Sequence, residues 1–521
     1  MHMKKTLYRI LGSVAAVLLL ASCQMDLIPR GTIIYDENEP AIQKASDLTG
    51  FELGLHVYFR SQHQSTYYYV SDLMGDAFNA TMDFGNNFGP LHRTDADFTA
   101  GDQDVEGVWG GYYSAISKYN QAIAAANNIA DAGLREDAQL MKGYAFFYRA
   151  FSYLFLARTF GKAYNPATAE NDLSVPIVLV YDQNARPARD SQKAVYEQIK
   201  SDLDSAAILL SSIKDAKGEL VAAGKVRAQK PTVDAINALY ARYYLDIQDY
   251  ENAAASAQAV IATKTYTLAA DAKSFAAEFQ EDNGTEPIMQ MFASQNEAPN
   301  GLNNYTRLTV ANKVDVYSPY FLPSGKLVDS YKAGDLRLNG WFKAAGEASY
   351  PIYMTGSTHS NPEVKVFTKF EGNLSYTTND LPQGQQAVKP FRISEMYLIA
   401  AEALFKGGHT EDALKVLNEL QAARGAENSL VTSFAEIQKE WFRETVGEGQ
   451  RIWCLKRWGE GFTARYGQPA AISENLIYTG SYYTERAMEA GDYHFTLPIP
   501  TYEIKINTNL KQNEGYDLLA K

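Results

Sequence analysis

Cys23 stands in Leu20-Ala21-Ser22-Cys23, directly behind an apolar run, and the 521-residue sequence holds only one other cysteine. Lys4, Lys5 and Arg9 give the chain a positive start, and Ile10 to Ala21 is apolar. As a helix those roughly 12 residues reach about 18 Å, short of about 30 Å of hydrocarbon. The layout is that of a secretory signal, with Ala21 and Ser22 as the small residues a signal peptidase needs. An ordinary cleavage site needs no cysteine after it. The tetrapeptide is similar to a bacterial lipobox, in which the cysteine sulfur is alkylated by a diacylglyceryl group and cleavage leaves an acylated N-terminus. Each buried methylene contributes about 0.8 kcal/mol, so several acyl chains hold a protein to a bilayer. The expectation is a leader over 1–22, a lipidated Cys23 and an extended tether over 23–45. Replacing Cys23 by Ala should leave the body folded and release it from the membrane fraction. Cys23→Ala protein still membrane-bound after a high-salt wash would contradict the anchor.

The remaining reactive side chains form no catalytic pattern. The histidines are His2, His56, His63, His92, His359, His409 and His494, and none sits in an H-E-x-x-H spacing. The sequence has no G-x-S-x-G elbow, no P-loop and no C-x-x-C. Cys454, between Trp453 and Leu455, reads as a small core residue. Asp and Glu are plentiful enough for a glycosidase pair, but nothing singles one out. The balance leans toward a protein that is not an enzyme. In "DADFTAGDQDVE", Asp95, Asp97, Thr99 and Glu106 fall on positions 1, 3, 5 and 12 of an EF-hand loop. The glycine comes one position late, which favours a solvated acidic loop over a weak Ca2+ site; no other cofactor is expected.

The net charge of −13 becomes −16 once Lys4, Lys5 and Arg9 leave with the leader. An acidic chain without a basic tract is a poor nucleic-acid binder and does not adhere to anionic lipid by charge. Membrane attachment is therefore expected through the lipid anchor only. Tyrosine is the informative count, 35 residues beside 24 Phe and 5 Trp. Tyr offers a flat apolar face with a polar tip, which suits surfaces that grip polar ligands.

Helical periodicity supplies the elements. Amphipathic helices are predicted near 46–62, 107–131, 134–160, 191–211, 231–248, 251–263, 392–407, 410–424 and 433–446. Pro231 is expected in the first turn of its helix. "NALYARYYLDIQDYENAAASAQAVI" and "MYLIAAEALFKGGHTEDALKVLNEL" align at a constant offset of 159, matching Leu239 to Leu398, Ala241 to Ala400, Leu245 to Leu404 and Ala254 to Ala413. Small residues let helices approach while leucines fill the groove, the spacing of a tetratricopeptide (TPR) pair. Residues 72–106 and about 283–390 are rich in Gly, Pro, Asn and aromatics, and long loops of that kind are commonly functional. The expected fold is mostly α: TPR-like helical pairs (about 107–263 and 392–424) in a single body over 46–521, with long irregular ligand-binding loops.

Several stretches together resemble the SusD/RagB family of Bacteroidetes lipoproteins. They are the lipobox followed by "DLIP", "MKGYAFFYRAFSYLFLARTFG", "FRISEMYLIAAEALFKGG", "EWFRETVGEGQRIWCLKRWG" and the ending "LPIPTYEIKINTNLKQNEGY". Cys454 replaces a usual aspartate, and Thr508 and Glu514 replace common prolines. The resemblance implies a TPR-based lipoprotein on the exterior of the outer membrane, acting as a lid over a SusC-like TonB-dependent transporter. It implies a non-catalytic glycan binder, with a peptide-binding RagB-like protein or a surface glycosidase as alternatives. Glu395, Glu402, Glu448 and Arg451 fall in structural motifs and are expected to be buried or capping partners. Family ligand residues lie in loops and do not transfer by motif. The loop candidates are Asp76, Phe84, Phe88, His92, Arg93, Tyr305, Arg307, Tyr317 and Trp341. Aromatic platforms with His92 and Arg93 in an acidic chain suggest a carboxylate-bearing sugar, with sialic acid (N-acetylneuraminic acid) from host glycans as the choice.

Overall fold

The computed structural model describes residues 40–63, 66–182, 184–297, 303–346, 349–360, 362–377, 381–431, 433–469 and 473–516. Cys23, the leader and most of the tether lie outside the described residues. The principal helices are α1 (Ala45–Ser61), α2 (Thr66–Met74), α3 (Gln103–Asn127), α4 (Arg135–Phe160), α5 (Gln192–Ser212), α6 (Val233–Asp246), α7 (Tyr250–Ala262), α8 (Ala272–Phe279), α9 (Ile393–Lys406), α10 (Thr410–Ala423), α11 (Phe434–Glu444) and α12 (Arg451–Trp458).

Their starts are set by side chains that accept the free N–H groups of a first turn. Asp102 accepts from Asp104 and Val105, Ser191 from Ala194, Thr232 from Ala235 and Asp249 from Asn252. The Asp102 cap explains why α3 begins at Gln103 rather than near 107. Thr232 takes the cap of α6, so Pro231 stands just outside the first turn instead of within it. Helices α2, α8 and α12 were not anticipated from periodicity.

The helices stack in order: α3 on α4, α4 on α5, α5 on α6, α6 on α7, α7 on α9 and α9 on α10. The two similar pairs, α6–α7 and α9–α10, thus become neighbours across the long insertion between them. Leu239, Ala241, Leu245, Leu398, Ala400 and Leu404 are all buried. The scaffold is the TPR-like helical stack that the repeat predicts. Within it α4 is buried on nearly every side from Ala138 to Phe160. Its C-terminal carbonyls are held from other parts of the chain. Lys456 donates to Arg158 O and Gly161 O, Arg189 to Phe160 O, and Asn513 to both Phe160 O and Leu497 O. The ending motif therefore fastens the last residues onto the central helix.

The loop-rich segments are ordered by short strands: β1 (Phe78–Ala80), β2 (Pro287–Met289), β3 (Leu308–Ala311), β4 (Val314–Tyr317), β5 (Phe321–Pro323), β6 (Phe342–Ala344), β7 (Ile352–Met354), β8 (Ser357–His359), β9 (Lys365–Phe367) and β10 (Phe391–Arg392). Antiparallel pairs form between β1 and β5, β6 and β9, and β10 and β2, while β3-β4-β7-β8 makes a four-stranded sheet. These segments have a core of their own, with Phe78, Phe84, Tyr305, Phe321, Trp341 and Phe367 among its members.

A buried ionic cluster joins this second core to the helices. Arg424 lies 2.7 Å from Glu444 and 2.8 Å from Glu286. Arg337 reaches Asp335, Glu440 and Glu444, and Arg392 reaches Glu286, Glu444 and Glu448. Such charges stay buried only when paired, because removing either partner strands the other in low dielectric. The motif residues fall into the same scheme. Glu395 pairs with Arg242, Glu402 with Arg457, Glu448 with Arg392 and Lys369, and Arg451 with Asp76.

Candidate functional site

Most of the loop residues expected to touch a ligand are buried. Asp76 is fully buried and bonded by Arg451 at 2.7 Å and Lys326 at 2.6 Å. Burial opposes its charge, but the Arg451 guanidinium and the Lys326 ammonium hold its carboxyl well below the usual range. It pins α12 to the loop body and has no surface to offer a sugar. Phe84 packs against Phe321, Tyr478 and Tyr483, and Phe88 against Tyr69. Tyr305 stacks on Phe78. Trp341 lies between Phe275, Phe279 and the Lys369 ammonium, which is 3.9 Å from its ring. Tyr317 is buried with its hydroxyl 2.9 Å from Ser349 Oγ. Phe84, Phe88, Tyr305 and Trp341 fill the second core, and Tyr317 a smaller cluster with Leu308 and Ile352, where loop composition had suggested exposed platforms.

The expected cations fare similarly. His92 is buried, and burial together with Arg465 pushes its pKa well below the ordinary value, so it is neutral. Arg93 donates to Asp95 and to Asn86 Oδ1, and its Nη2 lies 3.5 Å from Asp97. Its charge is met within its own loop, which removes the observation behind a carboxylate-bearing ligand at this residue. Arg307 stays half-exposed, its guanidinium 4.7 Å from the Tyr320 ring. Asp95 serves Arg93 and the Asp97 N–H, Thr99 accepts from Gly101, and Asp102 caps α3. Among the described residues no group of three or more His, Cys, Asp or Glu is arranged to hold a metal ion.

What does reach the surface is a tyrosine shelf that sequence reasoning missed. Segment 476–478 runs alongside β1: Met82 N donates to Leu476 O, and Tyr478 N donates to Ala80 O. On the other side Thr81 N donates to Tyr320 O. Three chain segments distant in sequence are thereby aligned, and Tyr320, Tyr478 and Tyr483 form the partly exposed margin of the second core. Tyr478 and Tyr483 stack with centroids 5.0 Å apart, and Tyr482 beside them is 51% exposed. In the Gly85 turn, where Gly85 and Asn86 both take positive φ, Asn86 Oδ1 accepts from Arg93, whose guanidinium lies 6.0 Å from the Tyr483 ring.

Arg465 holds this shelf in place. It is fully buried and donates to five carbonyls: Leu73, Gly75, His92, Tyr482 and Tyr483. Burial, with Arg486 nearby, pushes its pKa down to about 9. A planar guanidinium with five N–H groups suits this task, since it ties α2, the loop at 92 and the 482–483 turn to one point. The signal for the shelf was present as "YTGSYY", three tyrosines about a glycine turn. It lay outside both loop-rich stretches.

Family models match both ends of the chain. One described as "SusD family" matches residues 349–516, and one described as "Starch-binding associating with outer membrane" matches residues 42–245. The chain is SusD-like at both ends. Starch-binding protein SusD of Bacteroides thetaiotaomicron is 27% identical over 209 residues, 37% of this chain and 36% of that protein. The match thus spans about a third of that relative's length. SusD-like protein P2 of Formosa agariphila is 25% identical over 450 residues, 81% of this chain and 83% of that one. A crystal structure of a SusD superfamily protein from Bacteroides thetaiotaomicron superposes with a TM-score of 0.71 at 23% identity, covering 89% of this chain and 99% of that one. The helical stack described above is therefore the SusD fold, and the tyrosine shelf is a feature of its loop face.

Proposed function

We propose that this chain is a non-catalytic glycan-capturing lipoprotein of the outer membrane. It is anchored through Cys23, faces the cell exterior and passes its sugar to a SusC-like TonB-dependent transporter. The observation that carries the reading is the tyrosine shelf, an ordered row of half-exposed rings on a SusD-like scaffold. A sugar ring has an apolar face of C–H groups and a rim of hydroxyls. Tyr478, Tyr482 and Tyr483 meet the first, and their hydroxyls with the amide of Asn86 meet the second. The family model described as starch-binding and the relative named as a starch-binding protein support a carbohydrate ligand.

Two acids of the neighbouring 83–95 segment serve structure, which favours a binding role over turnover. Asp83 accepts from Thr355 N and Asp95 from Arg93, so both carboxylates are engaged in holding loops. A sialic acid ligand fits this reading if a cation other than Arg93 receives its carboxylate.

A glycan array probed with the purified protein should show a bound class, and incubation with that class should release no product. Turnover would move the protein to the glycosidases, and binding of oligopeptides alone would move it to the RagB-like alternative. Affinity purification from solubilised outer membranes should recover a barrel protein in a complex burying well over about 1,600 Å². Recovery of the chain alone at native expression would contradict the transporter partnership.

A further inference from the structure

The geometry points to Arg486 as the receptor for an anionic substituent on the captured glycan, a carboxylate or a sulfate carried by a sugar. This inference rests on the glycan-capture reading and names the class of sugar. Arg486 is half-exposed, three residues beyond Tyr483. Its Nε and Nη2 converge on a single acceptor, Thr94 Oγ1, at 2.9 and 2.6 Å. A hydroxyl orients a guanidinium but does not neutralise it. Among the described residues no carboxylate lies within ion-pair distance of Arg486 or of Arg465 behind it. Asp492, whose carboxyl Arg486 helps to hold below its usual range, is already bonded by the backbone N–H and ring Nδ1 of His494.

The contrast with Arg93 is what makes the assignment. The two arginines flank Thr94, yet Arg93 is matched by Asp95 while Arg486 has no acid. In a chain of net charge −13, Arg486 and the buried Arg465 behind it are two guanidiniums with no ion-paired carboxylate among the described residues. The Thr94 bond fixes the Arg486 fork in advance, so little side-chain freedom remains to be lost when an oxyanion docks. The tyrosines would hold the ring, and the arginine would select the charged member of otherwise similar sugars.

The test is calorimetry on the full chain with four probes: sialyllactose and trigalacturonic acid for the carboxylate, a sulfated chondroitin disaccharide for the sulfate, and maltoheptaose as the neutral control. At least one anionic probe should bind more tightly than maltoheptaose, and its affinity should fall as salt is raised. Arg486→Gln should weaken that probe by about ten-fold or more while leaving maltoheptaose unchanged, since charge-assisted bonds of this kind are lost together. Arg486→Lys should recover part of the loss, which separates charge from any loosening of Thr94. An equal or stronger preference for maltoheptaose, or anionic binding indifferent to Arg486→Gln, would overturn the inference and leave glycan capture standing. Failure of every probe and of the glycan array would overturn both.

Discussion

Glu444→Ala should come close to unfolding the protein. Glu444 is fully buried and accepts from Arg337, Arg392 and Arg424. Burial opposes its charge, but the three guanidiniums keep its carboxyl well below the usual range. Removing it leaves three cations facing one another without their shared acid. Breaking a buried pair from one side costs about 3–5 kcal/mol, against about 5–15 kcal/mol for a whole folded protein. By contrast, Glu436 pairs with Lys439 on the surface of the same helix, an interaction worth about 0–1 kcal/mol. Urea melts of the two alanine variants decide the matter. A midpoint for Glu444→Ala no lower than that of Glu436→Ala would show that the cluster does not join the two cores.

Glu278→Gln should raise stability on the alkaline side and flatten its dependence on pH. Glu278 is buried at 1% exposure, and neither carboxyl oxygen has a hydrogen-bond partner among the described residues. Burial, reinforced by Glu286, pushes its pKa up from 4.5 to about 8. The folded state therefore holds a proton that the unfolded chain releases above pH 4.5. With more protons bound in the native state, stability is full below pH 4.5 and is lost as pH rises through about 8. The slope between those limits approaches about 1.4 kcal/mol per pH unit for one such group. An amide does not titrate, so the variant and the wild type should diverge steadily from pH 5 to pH 8. Asp72, raised by burial to about 7, adds a slope of the same sign that remains in the variant. Parallel stability curves across this range would show that Glu278 is charged in the folded protein.

The scaffold was legible because helices announce themselves by period, and because the 159-residue offset repeats both large and small positions. Leu239 and Leu398, or Ala241 and Ala400, can be matched without knowing where either lies. The loop face was not legible in that way. Phe84, Tyr305, Tyr317 and Trp341 stand among Gly, Asn and Pro, and composition alone does not distinguish an aromatic that fills a core from one that faces water. The strands that bury them are only three or four residues long, and some pair across large separations, as β1 with β5 does, so no local period marks them. Arg93 illustrates the same gap. Its partners Asp95 and Asp97 were visible in the sequence, but their distances were not. Arg465 is harder still, since its five acceptors are backbone carbonyls, which leave no trace in residue identity.

The central claim is that Tyr478, Tyr482 and Tyr483 form the surface that takes the ligand. Calorimetry with the glycan that the array selects, on the wild type and on a Tyr478→Ala/Tyr482→Ala variant, addresses it directly. Both rings lie at the margin of the fold, so the variant should keep the wild-type melting temperature within a few degrees. Its affinity should fall by about ten-fold to a hundred-fold, the scale of two lost aromatic contacts. Unchanged affinity in a folded variant would place the glycan elsewhere on the molecule and contradict the account.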